Sequence, residues 1–141
     1  MKLIDLFSQD KFHDVVSNFH SLYSSPDQSP LEANILAAAY FRLGEYQSAY
    51  DVLAQIESAL QDDPDYLSLF GTTCRRLGKY AMAETLFDRA IRLNPESLVF
   101  KNNYSNLLID QARFDEAIDI LESIISKDPD YEDARQNLNR A

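Results

Sequence analysis

Residues 64–97 read PDYLSLFGTTCRRLGKYAMAETLFDRAIRLNPES, and the second half of that stretch decides the fold. Tyr80, Ala83, Phe87 and Ala90 follow one another at offsets of three, four and three. Those offsets place them on one face of a 3.6-residue helix, as an apolar stripe that alternates large and small. The stripe recurs every 34 residues: Tyr46, Ala49, Leu53 and Ile56 before it, Phe114, Ala117, Leu121 and Ile124 after it, and Phe12, Val15, Phe19 and Leu22 one cycle further back. Such self-similarity at a fixed period is the signature of a stacked repeat, in which each unit buries its apolar face only against its neighbours.

A second stripe precedes the first in each cycle: Leu36, Ala37 and Tyr40; Phe70, Gly71 and Cys74; Tyr104, Ser105 and Leu108. Each unit therefore reads as two amphipathic helices joined by a short turn at Gly44-Glu45, Gly78-Lys79 or Ala112-Arg113. Glycine suits the left-handed residue that ends a helix, and Ala112 has to take that position without glycine's freedom. Ser29-Pro30, Asp63-Pro64, Asn94-Pro95 and Asp128-Pro129 each pair a capping side chain with a proline at the first helical position. Pro64 and Pro95 are only 31 apart while the aromatic cycle holds, which predicts a long second helix before Pro64 and an early start at Pro95. Helices are expected over 2–8, 12–24, 31–43, 46–61, 65–77, 80–93, 96–111, 114–127 and 130–140, with 25–29 as the one loop of any length.

Bulk chemistry narrows the function. A length of 141 residues with 45% apolar and 26% charged residues suffices for one domain with its own core. Three glycines and five prolines are too few for a many-stranded β fold. A net charge of −10 opposes phosphate backbones and anionic lipids and favours protein partners, so nucleic acid is not expected. No apolar run is long enough to span a membrane, and the first residues, with Asp5 and Asp10, lack the form of a signal peptide. A cytoplasmic protein is expected.

The residues that carry chemistry elsewhere are sparse. Cys74, the one cysteine, shares a column with Tyr40 and Leu108 and reads as a packing thiol. His13 and His20 have no carboxylate at metal-pair spacing. Asp62-Asp63 and Asp128-Pro129-Asp130 sit at helix starts, where negative charge meets the positive end of the dipole. Asn103-Tyr104-Ser105 has the form of a glycosylation acceptor but falls inside a helix. With no phosphate-binding loop in sight, neither an enzyme nor a metal or cofactor is expected.

Taken together these residues resemble the tetratricopeptide repeat, most closely through Leu67, Phe70, Gly71, Gly78, Tyr80, Ala83, Phe87, Ala90 and Pro95. Flanking units match through Leu36, Ala37, Tyr40, Gly44, Tyr46, Ala49 and Leu53, and through Tyr104, Leu108, Phe114, Ala117, Leu121 and Pro129. No unit carries tryptophan, and Ile56 and Ile124 stand where Ala90 is small, which should shift packing locally. The resemblance implies an all-α superhelix of antiparallel helix pairs in a single domain over 1–141. Its parts are three full units at 30–63, 64–97 and 98–131, a truncated unit at 1–29, and a capping helix at 132–141.

The resemblance also implies a concave groove lined by the first helix of each unit. Its columns read Asn34, Ser68, Asn102, Gln136; Ile35, Leu69, Asn103, Asn137; Ala38, Thr72, Asn106, Arg140; Phe41, Arg75, Ile109; and Arg42, Arg76, Asp110. The expected binding face comprises Asn34, Ile35, Phe41, Arg42, Leu69, Thr72, Arg75, Arg76, Asn102, Asn103, Asn106 and Arg140. Asn102, Asn103 and Asn106 together cost roughly 1.5 kcal/mol against alanine in a helix, and their amides suit a peptide backbone. Arg42, Arg75 and Arg76 would grip a carboxylate, or else pair with acids of adjacent helices. Ile35 and Leu69 replace the polar groups with which some members hold the acidic tails of heat-shock chaperones, so that clamp is not expected. The implied function is an adaptor that takes a peptide or helix of a partner protein, one with an acidic group or carboxylate fitting the arginines. Two alternatives stand beside it: a regulatory or targeting segment of a larger enzyme such as a glycosyl- or methyltransferase, and a scaffold whose exposed end around Leu3, Leu6 and Phe7 forms a homodimer.

Overall fold

The computed structural model describes all 141 residues and contains ten α-helices and no strand. They are α1 (Leu3–Ser8), α2 (Phe12–Leu22), α3 (Pro30–Arg42), α4 (Tyr46–Gln55), α5 (Glu57–Leu60), α6 (Pro64–Arg76), α7 (Tyr80–Leu93), α8 (Leu98–Asp110), α9 (Phe114–Lys127) and α10 (Glu132–Arg140). A single 3-10 turn, Pro26–Gln28, links α2 to α3. Each first helix packs on the second helix of its own unit, α3 on α4, α6 on α7 and α8 on α9. The first helices also line up along one wall, α1 beside α3, α3 beside α6, α6 beside α8 and α8 beside α10. No helix is long and apolar enough to cross a membrane.

The reversal inside each pair has one form throughout. Asp10, Gly44, Gly78 and Ala112 all take positive φ, at 60, 79, 76 and 58°. The next residue's N–H then donates to the carbonyl five residues back, at 2.9 Å for Lys11 to Leu6, 2.9 Å for Glu45 to Tyr40, 2.8 Å for Lys79 to Cys74 and 2.9 Å for Arg113 to Leu108. This left-handed closure satisfies carbonyls that a helix end leaves open. The turn cycle thus starts one unit earlier than the glycines suggest, at Asp10.

The two apolar stripes meet between the helices of each pair. Phe19, Leu36, Leu53, Leu67, Phe70, Phe87, Leu108 and Leu121 are all fully buried. Gly71 is where the approach is closest, since a Cβ built there would lie 2.9 Å from the Phe87 ring. The other two full units carry Ala37 with Leu53 and Ser105 with Leu121, so among the three full units the one glycine accompanies the one phenylalanine opposite it.

Five expectations need correction. First, α8 starts at Leu98, not at Pro95: Ser97 Oγ accepts from the Phe100 N–H at 3.2 Å, and Pro95 lies in the preceding turn, closed by Ser97 N–H to Asn94 O. The start thereby falls 34 residues after Pro64, and the apparent 31-residue spacing disappears. Second, α10 begins at Glu132, after a similar turn in which Asp128 Oδ1 accepts from Asp130 N–H. Of the four supposed capping pairs only Asp63-Pro64 acts as one, with Asp63 Oδ1 accepting from the Asp65 and Tyr66 N–H groups; Ser29 makes no side-chain cap.

Third, the helix expected over 46–61 breaks at Ile56, where φ and ψ are −104 and 13°. The Leu53 carbonyl, which a continuous helix would offer to Glu57, accepts instead from the buried Tyr66 hydroxyl at 2.5 Å. A side chain inserted into the ladder is an established cause of a kink. Ile124 occupies the same column inside the unbroken α9, so the size of isoleucine is not the cause. Fourth, Leu22 is 63% exposed because α2 ends there, and Tyr23 packs on Phe19 in its place, with ring centroids 5.0 Å apart. Fifth, Leu3 and Leu6 are buried and Phe7 packs edge-on against Phe12, so the apolar end proposed for homodimer formation is already covered by the chain itself.

Candidate functional site

Six of the twelve expected groove residues come together. Arg75, Arg76, Asn102, Asn103, Asn106 and Arg140, joined by Asp133, Gln136 and Asn137, line a cleft of about 290 Å³ between α6, α8 and α10, with no apolar side chain in its wall. Asn34, Ile35, Phe41, Arg42, Leu69 and Thr72 lie outside it, along α3 and the near side of α6.

Within the cleft the amides are already at work. Asn103 Nδ2 donates to Ser68 Oγ at 3.2 Å, and Asn137 Nδ2 donates to Asn102 Oδ1 at 2.9 Å. Both pairs are 35 residues apart, so each is a rung between a first helix and the next. Asn102 is 5% exposed, and its backbone carbonyl accepts from the Ser105 hydroxyl. A buried amide of this kind contributes about 1 kcal/mol when paired and is costly when orphaned. Arg140 completes the layer, donating to Asn106 Oδ1 at 3.3 Å and to Asn137 Oδ1 at 2.8 Å.

The ladder stops at α3. The position that would donate to Asn34 is Leu69, which has nothing to donate, and Asn34 Oδ1 is buried with no partner. Ile35 and Leu69 are partly buried against the core, and Thr72 turns its hydroxyl back to the Ser68 carbonyl at 2.9 Å. The groove therefore changes character along its length, apolar beside α3 and polar beside α8.

The arginines fall into three situations. Arg42 lies over the Phe12 ring at 4.7 Å, 3.8 Å from Asp10, and Arg76 lies over the Tyr46 ring at 5.6 Å; Phe41 meets the same Tyr46 ring edge-on. Arg42 and Arg76 are one cycle apart, as are the rings beneath them, so this cation–π contact repeats with the array. Arg75 is held by Asp110, Nε to Oδ2 at 2.6 Å and Nη2 to Oδ1 at 3.2 Å. Arg140 bonds amides only, and neither Arg76 nor Arg140 has a carboxylate partner.

On the opposite side of the array Arg113 bridges Glu84 and Glu116, at 2.9 and 2.6 Å, and Tyr104 donates to Glu84 at 2.8 Å. The Arg113 and Tyr104 bonds hold the Glu84 carboxyl below the usual carboxylate range, and burial together with Glu84 pushes the Tyr104 hydroxyl up to about 12. Cys74 is fully buried, and that burial pushes its thiol up to about 11, away from nucleophilic use. His13 and His20 are exposed, with His20 Nε2 3.1 Å from the Tyr40 hydroxyl.

Reading columns from the sequence missed Asp133 and left Gln136 and Asn137 out of the site. Gln136 and Asn137 stood in columns already drawn, one cycle after Asn102 and Asn103, whereas Asp133, one cycle after Val99, belonged to none of them. The pairing of Arg75 with Asp110 had no comparable signal, because the 35-residue offset follows from the pitch of the array.

Stacked antiparallel helix pairs with a polar cleft on the wall of first helices define a helical-repeat solenoid. The chain belongs to the tetratricopeptide repeat family. A tetratricopeptide repeat model matches residues 75–140, and a model of anaphase-promoting complex, cyclosome, subunit 3 matches residues 8–90. The TPR repeat-containing thioredoxin TTL4 of Arabidopsis thaliana is 33% identical over 81 residues, which is 57% of this chain but 12% of that protein. Among solved structures, MamA AMB-1 superposes with a TM-score of 0.83 at 20% identity, covering 96% of this chain and 80% of MamA. The first TPR domain of Spaghetti (RPAP3), bound to the HSP90 peptide SRMEEVD, gives 0.72 at 22%, covering 80% and 90%. A mutant O-GlcNAc transferase of Thermobaculum terrenum gives 0.69 at 24%, covering 75% of this chain and 20% of the transferase. These likenesses carry the fold. The chain spans a small part of TTL4 and of the transferase.

Proposed function

We propose that this chain is a protein-interaction adaptor whose wall of first helices binds an extended peptide or a helix of a partner, with an acidic group of that partner received by Arg76 and Arg140. The observation that carries the reading is the cleft itself: two guanidinium groups without carboxylate partners, in an all-polar wall, on a protein of net charge −10. Arginine forks without a carboxylate partner favour a carboxylate ligand at hydrogen-bonding range, locally reversing the sign of an otherwise acidic surface. Beside it, Ile35 and Leu69 offer apolar contact to the neighbouring part of the ligand. The peptide SRMEEVD bound to the RPAP3 TPR domain supports a short peptide segment as the ligand of such an array.

A random peptide display selection tests the proposal. Against the wild-type protein it should enrich acidic segments carrying an apolar residue. Against Arg76→Gln/Arg140→Gln that enrichment should vanish while helicity is kept; an unchanged set of peptides would reject the reading. A second reading, the array as partner-binding segment of a larger enzyme, draws on the small fractions of TTL4 and of the transferase that it matches. The length of the native gene product decides that question.

A further inference from the structure

The column Arg42, Arg76, Asp110 changes sign once, in the unit that forms the cleft. Asp110 ends α8, and its carboxylate sits on the Nε–Nη2 edge of Arg75, at 2.6 and 3.2 Å. The two side chains are 16% and 24% exposed, the most sheltered of the ion pairs in the molecule. Arg75 is also part of the cleft wall, beside Arg76 and the amides of α8. A carboxylate seated on that edge of a guanidinium has the geometry an acidic ligand would itself adopt.

We infer that Asp110 is a built-in carboxylate that occupies Arg75 and so sets which ligands the cleft takes: a segment with one acidic group is accepted through Arg76 and Arg140, and a polyacidic segment is disfavoured. This rests on the cleft being the binding face. With Asp110 in place, a second ligand carboxylate finds Arg75 already engaged and meets the negative charge of Asp110, with Asp133 exposed on α10 adding to it. Without Asp110 the fork is open and the cleft gains one net positive charge. Specificity then comes from a repulsive group as well as from attractive ones.

Fluorescence anisotropy with two rhodamine-labelled peptides tests the inference: tetraglutamate with a free C-terminus, and an amidated Gly-Gly-Ser-Glu with a single acid. Asp110→Asn should tighten tetraglutamate binding about tenfold, the scale of a close charge pair, and leave the single-acid peptide nearly unchanged. Arg75→Gln alone leaves Asp110 unpaired and should weaken tetraglutamate binding, and Arg75→Gln/Asp110→Asn should lose the gain, a double-mutant cycle that isolates the pair. Asp119→Asn on α9 makes the same change in net charge outside the cleft and should give no gain. If Asp110→Asn fails to fold by circular dichroism, Asp110→Ser replaces it. Tetraglutamate binding unaffected by either substitution, or a gain that survives the loss of Arg75, overturns the inference. Arg76→Gln separates this from the underlying reading: if it leaves the binding of both peptides intact, the cleft is not the binding face. If no variant binds either peptide, both fall.

Discussion

Ala112 holds φ at 58° in a turn where Gly44 and Gly78 hold 79 and 76°. A left-handed alanine is strained by about 1–2 kcal/mol, partly offset by glycine's greater freedom in the unfolded chain. Ala112→Gly is therefore expected to stabilise the protein by about 0.5–1 kcal/mol in urea unfolding; a loss of stability would show that the turn is unstrained. Gly71 is small for a different reason. Its missing Cβ is the room that Phe87 fills, so Gly71→Ala should destabilise by about 1–3 kcal/mol through overpacking, and adding Phe87→Leu should recover part of the loss. Both glycine roles were legible in the sequence, one from the turn column and one from the small column. Asp10 was not, because an aspartate gives no sign of positive φ unless the 34-residue cycle is carried back to it.

At the scale of the helices, the ladder between first helices explains where the asparagines go. Asn102 and Asn103 read as ligand groups in the sequence because a helix interior gives no local partner to an amide. In the folded array those partners stand on the first helix of the adjacent repeat, at Asn137 and Ser68. Asn102→Ala leaves the Asn137 amide without its acceptor and should destabilise by about 1–2 kcal/mol. Asn34→Ala removes an acceptor that has no partner and adds helix propensity, so it should be stabilising by about 0.5 kcal/mol. Equal effects in thermal or urea melts would mean that the two amides have equivalent surroundings. Helix starts were less legible than helix faces: Asn94-Pro95 resembles a cap in sequence, yet Ser97 makes the bond, and proline serves the turn before it equally well.

The contact between α7, α8 and α9 on the outer side has a pH dependence of known sign. Glu84 is held below its ordinary pKa by Arg113 first and by Tyr104 second, so its folded value lies under its unfolded one. The stabilisation is present in full above the unfolded carboxylate value and is lost as pH falls through the folded value. Glu84→Gln should thus be less stable than wild type at pH 7, and the difference should shrink as pH falls below the ordinary carboxylate range. A difference that stays constant down the acid limb of the melts would contradict the assignment.

For the molecule as a whole, periodicity carried the architecture, because each unit repeats the same two stripes and buries them only against its neighbours. The cleft was half legible. Subtracting the buried columns found Arg76, Asn106 and Arg140, while the internal use of Arg75 and Asn102 depended on the pitch that brings residues 35 apart together. The partition of the wall into an apolar part at Ile35 and Leu69 and a polar part at α8 and α10 was legible, because it is written in the single column Ile35, Leu69, Asn103 and Asn137. Binding along this wall is the central claim, and backbone amide shift mapping tests it most directly, using the acidic peptide that display selection returns. Perturbations concentrated on α3, α6, α8 and α10 are the result expected; perturbations concentrated on α4, α7 and α9 would place the ligand on the outer face and contradict it.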